Sequence, residues 1–121
     1  MTYVDGFVIP LPKRNLKAYR SLAAKAAKVW MKHGAVEYFE CAGDDLRPKW
    51  AKSTFPRIAR LKPGETVVFS FIVYKSKAHR NRVNAAVMKD PLMSDPALVK
   101  MPMPFDLKRM TYGGFRTIVQ A

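Results

Sequence analysis

The chain holds two imidazoles, His33 and His79, and imidazole is the side chain that exchanges a proton most readily near neutral pH. A carboxylate, Glu40, stands next to Cys41 in the run GAVEYFECA, which also carries Glu37. Tyr112 and Arg109 bring a hydroxyl and a guanidinium, groups that can steady a developing oxyanion. The chemistry open to this set is proton abstraction from a small molecule, with one histidine as acceptor and Tyr112 or Arg109 facing the charge that develops. Trp30, Trp50 and Phe55 are bulky rings suited to wall a pocket for it.

Each of these residues also has a plain structural reading. His33 can complete a helix C-terminus, where the dipole favours a cation. His79, one turn before Val83, can pack as a neutral ring at a helix start. Glu40 can be an edge-strand residue in water; if buried, it needs a raised pKa or a basic partner such as Arg109 or an arginine of the second helix. Cys41 has no CxxC mate and reads as a small buried hydrophobe. Asp44 and Asp45 diverge in a turn and lack a third ligand, so no metal is expected. Met101 and Met103 read as fillers. Gly113-Gly114 lacks the context of a phosphate loop, and no dinucleotide fingerprint or nucleophile elbow is present, so no cofactor is expected.

The elements that must position these residues follow from periodicity. Tyr3 to Ile9 reads as a strand stopped by Pro10 and Pro12, and Ala35 to Ala42 as another. Between them Leu16, Tyr19, Ala23, Ala26 and Trp30 recur at helical spacing behind Asn15, a candidate N-cap, and Gly34 closes that helix. Thr66 to Tyr74, TVVFSFIVY, is apolar on both faces and belongs in the centre of a sheet. Ser76 caps a second helix, with Val83, Ala86 and Val87 inward, Lys77, Arg80 and Lys89 outward, and Asp90-Pro91 as its stop. Ser94-Asp95-Pro96 caps a short turn through Val99, and MPMPF over 101–105 excludes regular structure. A last strand spans Lys108 to Val119 with an interruption at Gly113-Gly114. The 44–64 connection carries Trp50 and Phe55 and is placed to act as a lid over the pocket.

The order β-α-β-β-α-β predicts an α+β class, ferredoxin-like βαββαβ fold over a single domain, residues 1–121: a four-stranded antiparallel sheet with two helices on one face. The strands are apolar on both sides and no further element remains to cover the second face. A second copy packed sheet to sheet, a dimeric α/β barrel, is the economical cover.

Charge and composition narrow the partners. Twenty-two Lys and Arg oppose 9 Asp and Glu, a net +13. The basic residues are spread over the first helix, the 44–64 connection and the second helix, as on a solubilising surface. Nucleic-acid binding is therefore expected to be weak, non-specific and salt-sensitive. With so many basic side chains, an anionic or aromatic small molecule is the ligand expected in the pocket; a non-enzymatic dimer is the alternative. One cysteine and no signal-like or membrane-length apolar run make the cytoplasm the expected location.

Four runs, YVDGFVIPLPKRNLKAY, GAVEYFECAGDD, ETVVFSFIVYKSKAHRNRVNAAVMKDP and MPFDLKRMTYGGF, resemble the YbaA-like bacterial proteins, a family grouped under domain of unknown function 1428. The resemblance covers almost the whole chain. It implies the ferredoxin-like fold and the dimeric α/β barrel superfamily, and it implies no established reaction or catalytic residues. That superfamily includes cofactor-free monooxygenases, small-ring isomerases and haem enzymes, so the fold does not choose the function.

Overall fold

The computed structural model describes residues 1–100 and 102–121; Met101 lies outside the described residues. Strand β1 (Tyr3–Pro12) and strand β3 (Glu65–Tyr74) form the centre of the sheet, in register from Tyr3↔Tyr74 to Pro12↔Glu65. Strand β2 (Glu37–Ala42) pairs with β3 and strand β4 (Thr111–Arg116) with β1. The order is β2-β3-β1-β4, antiparallel throughout. Helix α1 (Leu16–Lys32) follows β1 and helix α3 (Lys77–Met88) follows β3. The intervening α2 (Phe55–Ile58) and the later α4 (Pro96–Val99) are single turns. This is the ferredoxin-like arrangement.

Strand alternation divides the sheet into two faces. Asp5, Phe7, Ile9 and Leu11 of β1 join Val68, Ser70, Ile72 and Tyr74 of β3 on the face under the helices. Ile72 and Tyr74 pack with Val29 of α1 and with Val83 and Val87 of α3. Ile9, Leu11 and Val68 pack with Tyr19 and Ala23. Each such aliphatic side chain stabilises the fold by about 1.5–3 kcal/mol on burial. The other face presents Phe39, Phe69, Phe71 and Phe115, with Phe39 44%, Phe69 43% and Phe115 61% exposed. Its rings already touch: Phe39 stacks on Phe71 at 4.9 Å and Phe69 meets Phe71 edge-on at 5.8 Å. At one end of this face Phe55 of α2 sets its ring against Phe69 at 6.2 Å.

Several expectations need correction. Strand β1 runs on through Pro10 and Pro12. These two prolines share one strand edge, and the β4 pairing reaches no further than Val8↔Thr111, so that edge has no partner needing their missing N–H groups. Asn15 is not a side-chain cap; its Nδ2 donates to the Pro104 carbonyl at 2.9 Å and ties the 102–110 segment to the start of α1. Arg80 points inward, not to water, because the buried Asp5 lies beneath the first turn of α3. Ser76 does cap α3, accepting the His79 N–H at 3.0 Å. Gly34, at φ +108°, takes the left-handed turn after α1 that glycine favours.

The glycines of β4 do not interrupt it. Gly113 pairs with Gly6 and Gly114 with Asp5, and the missing side chains make room for rings. Phe115 lies across Gly6 and Gly113: a Cβ at Gly6 would stand 3.2 Å from its ring. On the opposite face a Cβ at Gly114 would meet the Tyr3 hydroxyl. Gly114→Ala is therefore expected to displace Tyr3 and destabilise the fold by about 1–3 kcal/mol, read as a lower urea midpoint. An unchanged midpoint would mean that the Tyr3 ring swings clear without loss.

Candidate functional site

The helix face of the sheet is not filled evenly. Two open hollows of about 560 Å³ each flank α1. One lies toward the β2 edge, along Leu16, Arg20, Ala24 and Ala27. The other runs beneath α1 toward Phe7, Trp30, Met93, Phe105 and Met110. Tyr19, Ala23, Tyr38 and Glu40 line both, so the hollows meet at one polar cluster. The groove exists because α1 presents Ala23, Ala26 and Ala27 toward the sheet, side chains too short to fill the space between helix and strands.

Glu40 organises that cluster. Tyr19 Oη donates to its Oε2 at 2.7 Å and Tyr38 Oη to its Oε1 at 2.9 Å. Tyr38 and Glu40 are two residues apart on β2 and so share a face; Tyr19 reaches down from α1. Burial pushes both phenols far above their ordinary range, and the Glu40 charge and hydrogen bonds add to this. Both therefore remain protonated donors. Glu40 takes part in no ion pair among the described residues. Sequence reasoning singled out Glu40 but missed Tyr19 and Tyr38 as its partners. The available signal was Tyr19 as the one hydroxyl in the helical stripe and Tyr38 two positions before the glutamate.

Trp30 lines the groove, with its ring 6.2 Å from that of Tyr38, and donates from Nε1 to Asn84 Oδ1 at 3.1 Å. Tyr74 Oη donates to the same oxygen at 3.1 Å. The two histidines do not face a common void, as the proton-abstraction site requires, and neither lines the groove. His33 Nε2 is bonded to Asp90 Oδ2 at 2.7 Å, joining the end of α1 to the end of α3. His79 Nδ1 accepts the Lys75 N–H at 2.9 Å, and its ring packs edge-on to Tyr74 at 6.1 Å.

Tyr112 and Arg109 are separated as well. Tyr112 donates to Asp5 Oδ1 at 3.1 Å, while Arg80 reaches Asp5 at 3.3 Å, Tyr112 at 2.8 Å and Tyr3 at 3.3 Å, stacking 4.9 Å over the Tyr3 ring. Arg109 is not the partner of Glu40. It grips Glu65 with two bonds, 2.6 and 2.9 Å, and donates to the Arg60 carbonyl. The 44–64 connection is no lid for the groove: Trp50 is 85% exposed and Phe55 sits on the opposite sheet face. Cys41 is exposed on that same face, not buried, because strand alternation turns it away from Glu40.

Residues 2–107 match the family described as "Protein of unknown function (DUF1428)". The "Uncharacterized protein YbaA" of Escherichia coli strain K12 is 42% identical over 119 residues, covering 98% of both chains. The protein of the same description from Shigella flexneri matches to the same extent. Among solved structures, a dimeric ferredoxin-like protein from an uncultured marine organism superposes with a TM-score of 0.63 over 100% of both chains at 13% identity. That degree of identity speaks to the fold alone.

The polar contacts outside the groove carry a pH signature. Burial, with Lys75 and Arg82 nearby, lowers the pKa of His79 below its ordinary 6.5, so the unfolded chain takes up this proton first. The contribution of neutral His79 to stability is complete above about pH 6.5 and declines as the pH falls through that value. Asp90, held by the Leu92 N–H, His33 and Lys32, and Glu65, held by Arg109, are both lowered to about 2. Their contributions persist above about pH 4 and are lost as the pH falls toward 2. The melting-temperature advantage of wild type over His79→Gln is therefore expected to shrink between about pH 7.5 and 5.5. An advantage that grows on acidification would place the His79 pKa above its unfolded value.

Proposed function

The chain belongs to the DUF1428 family, and from that premise we propose that it is a dimeric small-molecule-binding protein whose ligand lies in the groove between α1 and the sheet. The observation that carries this reading is an apolar groove with a single convergent polar cluster, Tyr19–Glu40–Tyr38, where its two hollows meet. A volume of about 560 Å³ falls in the range of small-molecule sites. Apolar walls supply affinity there, and the few polar atoms set orientation.

The second copy is argued from the opposite face. Phe39, Phe69 and Phe115 are large apolar side chains exposed together on one side of the sheet, an arrangement that marks an interaction surface. Two such faces packed together place the helices and both grooves on the outside of the pair. The similar solved structure is itself described as dimeric, which supports this occupant. Phe69 and Phe71 would then be covered and unable to stack on nucleic-acid bases.

Two experiments test the reading. The neutral probe N-phenyl-1-naphthylamine should show saturable fluorescence enhancement with wild type, and Ala23→Phe, which fills the point shared by both hollows, should abolish it while leaving the oligomer mass unchanged. Wild type without saturable binding would refute the groove. Light scattering at micromolar concentration should give twice the chain mass, and Phe71→Glu should yield monomer or unfolded chain; a monomeric wild type would refute the dimer.

A further inference from the structure

We propose that the groove selects an organic cation: a primary ammonium group attached to an aromatic or aliphatic body. The inference rests on the groove reading above and specifies its ligand class. An anionic ligand is the expectation from net charge, and the local geometry opposes it.

The chain carries 22 Lys and Arg, yet the carboxylate at the meeting point of the hollows is held by two phenols and no ion pair reaches it among the described residues. Phenol donors satisfy the geometry of a carboxylate without neutralising its charge. A carboxylate offers about four acceptor positions, and Tyr19 and Tyr38 occupy one on each oxygen. Most of the surroundings are apolar: Phe7, Ile9, Ile72, Leu92, Met93 and Phe105 line the hollow beneath α1, with Ser70 and Lys25 as further polar side chains. A negative charge among apolar walls gains most from a partner that brings a full positive charge and N–H donors, because hydrogen bonds between ions are about twice as strong as neutral ones.

The aromatic rings favour the same class. Trp30 and Tyr38 lie 6.2 Å apart on the groove wall, and Tyr19 lies 5.7 Å from Phe105. Ring faces attract ammonium groups, tryptophan most strongly. Arg20 and Lys25 also line the hollows, one in each, but both are exposed and neither makes an ion pair with Glu40.

The test uses three probes of one shape: 2-phenylethylammonium, 2-phenylethanol and phenylacetate. Binding is followed by calorimetry and by the fluorescence of Trp30 in a Trp50→Phe background. Wild type is expected to bind the ammonium about tenfold or more tighter than the alcohol, with phenylacetate weakest. Glu40→Gln keeps an acceptor for one tyrosine and should reduce the preference for ammonium over alcohol to about twofold or less. Tyr38→Phe removes a phenol and keeps the carboxylate, so the preference should survive. If the alcohol binds as well as the ammonium, or if Glu40→Gln leaves the preference intact, the cation assignment fails while the groove stands. If none of the three binds and the neutral naphthylamine probe also fails, the groove reading falls and this inference with it.

Discussion

The antiparallel ladder between β1 and β3 is the constraint from which the rest of the structure follows. Ten residues of each strand are in register, from Tyr3↔Tyr74 to Pro12↔Glu65. That register fixes which side chains stand together on each face, since a slip of one residue would exchange the two faces entirely. With it set, Asp5, Phe7, Ile9 and Leu11 lie under the helices and Val4, Gly6 and Val8 look the other way. Strands β2 and β4 inherit this parity through their own pairings. Glu40 thus arrives beneath α1 and its neighbour Cys41 on the open face.

The helix face handles its polar groups in two different ways. Near the start of α3, Asp5 is nearly fully buried and meets both Arg80 and Tyr112. Here charge is compensated by charge, and loss of one partner would leave the other buried and unpaired. Among the described residues Arg80 Nε remains without a hydrogen-bond partner even so. Beneath α1, by contrast, the Glu40 carboxylate is met by phenols alone. The first cluster reads as a clasp between α3 and the sheet, and the second as a site with capacity to spare. His33 and Asp90 add a further clasp, joining the ends of the two long helices.

The two faces of the sheet thereby take on separate work. The face under the helices carries a groove narrowed by rings and widened by the alanines of α1. The open face carries phenylalanines, with glycines at Gly6 and Gly113 that let Phe115 lie flat against the ladder. A ligand in the groove and a second copy on the open face would not compete for the same surface, and β3 lies between them.

The sequence by itself determined the order of elements, the helical stripe from Leu16 to Trp30, the Ser76 cap, the Gly34 turn and the two-sided apolar character of β3. These are local properties: spacing, capping chemistry and backbone freedom act within a few residues. Glu40 was also legible as a carboxylate beside Tyr38 and Cys41 within a strand. Tertiary structure alone decided its partners, since Tyr19 comes from a different element and meets it only when α1 lies over β2. The same holds for the fates of His33, His79, Tyr112 and Arg109, which composition grouped and the fold sent to four different neighbours. Trp50 and Phe55 were expected over the groove because the connection carrying them is long; its direction across the sheet was set by packing against Phe69. Side-chain type is written in the chain, but which charges and rings converge depends on long-range register, and no local pattern encodes that.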